Sequence, residues 1–149
     1  MTESSRPGPD PSALERESVV RLIRAPGLAA TEYAYAATAP AGSRLVFLAG
    51  ACPLDEHGAT RFPGDFAGQA QACLENLEQA LEAAGARLED VICTRVLVAS
   101  DQRSDLVATW TVVGEAFGDH DVPSTLFGVT VLGYPGQLVE LEAVAALPA

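Results

Sequence analysis

The residues most able to do chemistry stand near the end of the chain, in Leu138-Val139-Glu140-Leu141-Glu142-Ala143-Val144. Alternation with period two puts Glu140 and Glu142 on one face of a strand, about 6.5–7 Å apart at Cα. The odd positions Val139, Leu141, Ala143 and Ala145 form a clean apolar face for packing, so both carboxylates point the other way. If that second face is covered, burial and the like-charged neighbour make one carboxylate a candidate acid/base group. The same spacing also fits two solvated glutamates, or one paired with an arginine such as Arg95.

Other polar residues mark less. His57 sits in a turn and His120 in Gly118-Asp119-His120-Asp121; no metal-ligand spacing links them, and both read as solvated loop histidines. Ser124 and Thr125 follow Pro123 with no adjacent base, and no GxSxG is present. Gly50 lacks a GxGxxG setting. Trp110 fits a core or interface position as well as a ligand platform. The three cysteines, Cys52, Cys73 and Cys93, form no CxxC and read as reduced, mostly buried small hydrophobes.

Composition narrows the field. With 149 residues the chain has room for one domain with a real core, and 48% hydrophobic against 19% charged residues is a globular balance. Nine arginines and no lysine stand against twenty acidic residues, a net charge of −11. A lysine Schiff base and a P-loop are therefore excluded, and the mean field disfavours nucleic acid. No apolar h-region opens the chain and no apolar run reaches the length of a membrane span, so we expect a cytoplasmic protein with no membrane partner.

The elements that must position these residues follow from periodicity. Residues 1–12 read as a frayed polar tail ahead of one domain over 13–149. Ala13 to Ser18 could start a short helix and Val19 to Arg24 reads as a strand; Tyr33 to Thr38 carries aromatics on alternate positions. Arg44 to Ala49 is a nearly continuous apolar strand. Asp65 to Gly85 predicts a helix with Asp65 as N-cap, an apolar stripe through Phe66, Ala70, Leu74, Leu77, Leu81 and Ala84, and Gly85 as the stop. Val91 to Ala99 is a strand. Ser104 or Asp105 caps a second helix to Phe117, striped by Leu106, Trp110, Val113 and Phe117. Strands over Ser124 to Leu132 and Leu138 to Ala145 close the chain. Two helices with one stripe each share one face of a single mixed sheet, an α+β fold. The other face is also apolar, which calls for another subunit.

At this point the pieces Arg44-Leu-Val-Phe-Leu-Ala-Gly50, Pro53-Leu-Asp, Ala72-Cys-Leu-Glu-Asn-Leu-Glu, Ala83-Ala-Gly-Ala-Arg-Leu-Glu-Asp-Val91 and Leu138-Val-Glu-Leu-Glu-Ala-Val-Ala resemble the reactive-intermediate deaminase (Rid, or YjgF) family from about Thr31 onward. The resemblance implies a chorismate-mutase-like fold and a homotrimer with small-molecule pockets at the subunit interfaces. It also implies hydrolysis of enamines and imines to ammonia and a 2-keto acid, without cofactor or metal. The carry-over gives Glu140 as the water-positioning residue and Tyr33, Gly50, Trp110, Pro123, Ser124 and Thr125 as pocket positions. Several of these depart from the family pattern. Ala49 and Ala51 replace the usual serine and glutamine around Gly50, and Trp110 replaces an asparagine. Pro123 stands where the family carries the arginine that binds the substrate carboxylate. Losing a bidentate guanidinium costs an anionic ligand on the order of 2–5 kcal/mol. Simple 2-imino acids are therefore expected to be poor substrates. Two readings compete: hydrolysis of a different reactive imine or enamine, and a trimer that binds or senses a metabolite without turnover. An interaction or chaperone-like role with a vestigial pocket is a third.

Overall fold

The computed structural model describes residues 15–149. The polar tail expected over 1–12 lies outside the described residues, as do Ala13 and Leu14; Glu15 to Ser18, the rest of the expected short helix, is not helical. The elements are β1 (Arg21–Ile23), β2 (Ala36–Thr38), β3 (Arg44–Phe47), α1 (Phe66–Ala83), β4 (Val91–Val98), α2 (Arg103–Phe117), β5 (Ser124–Gly128) and β6 (Val139–Leu147).

Strands β3, β6, β4 and β5 form a mixed sheet in that order, antiparallel except for the β4–β5 pair. β1 and β2 pair with each other as a separate antiparallel ribbon, where the sequence reading had one sheet. Both helices pack on one sheet face. Leu74, Leu77 and Leu81 of α1 and Val113 and Phe117 of α2 share one core with Val96, Val98, Val139, Leu141, Ala143 and Ala145. The strict alternation of β6 thus sends its odd positions into the core and leaves Glu140 and Glu142 half-buried on the helix-free face.

The start of α1 follows its sequence. The Asp65 carboxylate accepts from the Gly68 N–H at 2.9 Å, and Gly85 takes φ +76° just past the helix end. The start of α2 differs. Its N-cap is Gln102, with no side-chain cap, because the Asp105 carboxylate accepts instead from Ser100 Oγ at 2.6 Å. The histidines also divide. His57 is exposed beside Glu56, whereas His120 Nε2 sits 2.8 Å from the Val91 carbonyl and ties the end of α2 to the start of β4. Asp90 is fully buried yet structural: Arg16 donates to both its oxygens at 2.7 Å, and the Arg87 N–H donates at 3.0 Å.

Removing the α1 cap in Asp65→Ala leaves an N-terminal N–H without its acceptor. The variant is expected to lose about 1 kcal/mol of unfolding free energy with an unchanged denaturant slope in equilibrium urea melts.

Candidate functional site

The helix-free face is apolar at its edges and polar along its middle. Phe47 is 75% exposed, Leu45 56% and Phe127 41%. Register sets the central rows: Glu140 lies opposite Leu97, which lies beside Phe127; Glu142 lies opposite Arg95, which lies beside Thr125. Arg95 and Glu142 approach to 3.8 Å, the pairing left open by their spacing. Among the described residues no cation pairs with Glu140. Its Oε1 accepts from Cys52 Sγ at 3.3 Å, and no other described group donates to the carboxylate.

What holds Glu140 there is a set of amide clamps from α1. Gln69 is fully buried; its Nε2 donates to the Gly136 carbonyl at 3.0 Å and its Oε1 accepts from the Leu138 N–H at 2.7 Å. It thereby seats the chain two residues before Glu140. One and a half to two turns further on, Asn76 Nδ2 donates to the carbonyls of Cys52 at 2.8 Å and Leu54 at 2.9 Å. Between the clamps, Ala51 and Leu141 exchange both backbone hydrogen bonds, at 2.7 and 3.1 Å. Gly50 then passes so close to Glu140 that an added Cβ would fall 2.8 Å from its Cδ.

Burial pushes the Cys52 thiol up to about 11, helped by the hydrogen bond to Glu140 and its charge. It is therefore a neutral S–H donor at physiological pH. Cys73, buried behind it, is raised further, first by burial. Cys93 corrects the expectation of mostly buried cysteines: it is exposed on the helix-free face opposite Val144.

Two clefts meet at Gly50. One, of about 710 Å³, runs past Cys52, Asp55, Arg61, Asn76 and Tyr134. The other, of about 390 Å³, lies on the helix-free face between Phe47, Leu48, Arg95, Glu142 and Val144. The remaining candidate residues fall elsewhere in the protomer. Tyr33 and Trp110 meet edge to face at 6.2 Å, and the indole N–H donates to Glu32 at 2.9 Å. Ser124 Oγ accepts from Thr94 Oγ1 at 2.7 Å on the helix side of the sheet, whereas Thr125 and Glu140 are on the other side. Pro123 accepts the Thr94 N–H through its carbonyl. Within one chain Glu140 thus stands on the helix-free face, while Thr94, the partner of Ser124, lines one small cavity with Trp110 on the helix side. Cys52, Gln69 and Asn76 were not anticipated. Gln69 adjoins Ala70 of the apolar stripe, and the loop packed over it is what makes it a buried amide.

The profile of the family described as Endoribonuclease L-PSP matches residues 24–147. A RutC family protein of Pyrococcus horikoshii is 34% identical over 111 residues, covering 74% of this chain and 85% of the relative. The crystal structure of YyfB from Yersinia pestis, described as a Rid-family protein of unknown function, superposes with a TM-score of 0.81 at 27% identity. That match covers 87% of this chain and 99% of that one. Rv2704 of Mycobacterium tuberculosis, of the YjgF/YER057c/UK114 family, superposes with a TM-score of 0.59 at 29% identity over 86% of this chain and 99% of its own.

Gly50→Ala tests the close approach. Its Cβ must displace the Glu140 carboxylate, so a crystal structure is expected to show Glu140 in another rotamer with the Cys52 contact broken and β6 unmoved.

Proposed function

The chain belongs to the Endoribonuclease L-PSP family, which includes the Rid and YjgF proteins, and from that premise we propose that three copies join through their helix-free faces and hydrolyse a reactive imine or enamine other than a simple 2-imino acid at the seams. The observation that carries this reading is Glu140: a half-buried carboxylate that no described cation pairs with, packed against Gly50, the residue at which two clefts meet. Such a group can take a proton from water as the oxygen adds to an imine carbon. Returning that proton to the nitrogen gives the carbinolamine; the carboxylate then takes the hydroxyl proton and passes it to the nitrogen, so that ammonia leaves and a carbonyl product remains.

Assembly is supported by Phe47 and Leu45, large apolar side chains left in water on the face that carries the carboxylate. A second copy is also the means of bringing the Trp110 and Ser124 groups toward a Glu140, since one chain holds them apart. The small substrate is read as uncharged or aromatic because Pro123 offers neither charge nor N–H. Arg95, the cation beside Thr125, already faces Glu142. The same substitution favours the second reading, a trimer that binds a metabolite without turnover. Cleavage of RNA, which the family's description names, fits poorly with a charge of −11 and no lysine.

Ammonia release from enzymatically generated imines tests the proposal. Turnover of N-unsubstituted imines of uncharged or aromatic carbonyl compounds is expected to exceed that of dehydratase-generated 2-aminoacrylate. Full activity on 2-aminoacrylate refutes the substrate assignment, and a saturable thermal shift with no product selects the binding reading. Glu140→Gln is expected to abolish turnover at unchanged mass and melting temperature.

Light scattering is expected to give the mass of three chains. Phe47→Asp, which buries a charge at each seam, is expected to yield a lone folded subunit.

A further inference from the structure

The mechanism just proposed uses Glu140 but leaves its neighbour, the Cys52 thiol, without a role. We infer that Cys52 is a positioning residue for Glu140: of the two acceptors its S–H can reach, the Gly50 carbonyl at 3.5 Å and Glu140 Oε1 at 3.3 Å, the nearer and charged one takes the proton, which holds the carboxylate in one rotamer and leaves Oε2 to act. The inference rests on the reading of Glu140 as the acting group.

Three observations carry it. The thiol is the one described group that donates to the carboxylate, so nothing else fixes the side-chain torsions from the polar end. The thiol is itself held. Asn76 grips the carbonyl of Cys52 from α1, and the Ala51–Leu141 bridge locks the adjacent residue to the strand that bears Glu140. Finally, the thiol keeps its proton. It is half-buried, no cation contacts it, and Glu140 beside it disfavours a thiolate. These are the surroundings of a hydrogen-bond donor and the opposite of those that make a nucleophile. The titratable groups about Glu140 are Cys52 from the loop, Cys73 from α1, Glu142 on its own strand and, diagonally across on β4, Arg95, which pairs with Glu142; Arg61, in the cleft that Cys52 lines, pairs with Glu75.

A positioning role differs from simple packing. A packed sulfur is replaced well by alanine or valine, whereas a donor is replaced only by another donor.

The test compares Cys52→Ser, which keeps an O–H, with Cys52→Ala, which removes the donor. Crystal structures of both are expected to show Glu140 superposing on the parent in the serine variant and rotated in the alanine variant. In a Cys93→Ser background, iodoacetamide is expected to alkylate Cys52 several-fold faster at mildly alkaline pH when Glu140→Gln removes the neighbouring charge. On an imine that the parent turns over, Cys52→Ala is expected to lower kcat by up to about 100-fold at unchanged KM, and Cys52→Ser to recover most of it.

Glu140 unmoved in Cys52→Ala, alkylation unchanged in Glu140→Gln, or equal kcat in the alanine variant and the parent each overturns the assignment. If the parent turns over no imine, the reading of the reaction fails, while the structures and the alkylation rates still decide whether the thiol positions the carboxylate.

Discussion

One helix holds the candidate site together. Gln69 and Asn76 of α1 each spend an amide on backbone groups that no sheet partner reaches. The first seats the turn before β6 and the second seats the loop after β3. A backbone carbonyl buried without a donor is costly, so these amides fix two loops in one geometry relative to the helix. Everything that makes Glu140 unusual follows from that arrangement: the glycine passing beneath it, the thiol that meets its oxygen, and the two clefts that join at Gly50.

The fold around this clamp was largely legible in the residues. The alternation of β6 settled which face each side chain takes, because a period of two leaves no ambiguity once one set is wholly apolar. The Asp65 cap and the Gly85 stop bounded α1 because both are local effects, complete within one turn of helix. The start of α2 was misjudged for the complementary reason. Asp105 looked like a cap, but Ser100, outside the helix, took its carboxylate.

The site was less legible than the fold. Glu140 and Gly50 stood out through spacing and resemblance, yet their contact depends on residues ninety positions apart. Gln69 and Asn76 are polar residues on a helix, the type that usually faces water, and only the loops packed over them turn them into clamps. Ser124 and Thr125 were read as one motif. The parallel register with β4 sends their side chains to opposite sides of the sheet, which adjacent positions in a strand require.

The clamps make the surroundings of Glu140 a property of the isolated chain, finished before any other copy arrives. Association between such prearranged bodies needs little further ordering of backbone, and so little of the contact energy goes into loop folding. Under the proposed assembly the acidic centre is inherited from tertiary structure, and walls and selectivity are what the neighbouring copies are left to contribute. Changes at the seam are then free to alter what enters without disturbing the group that receives it.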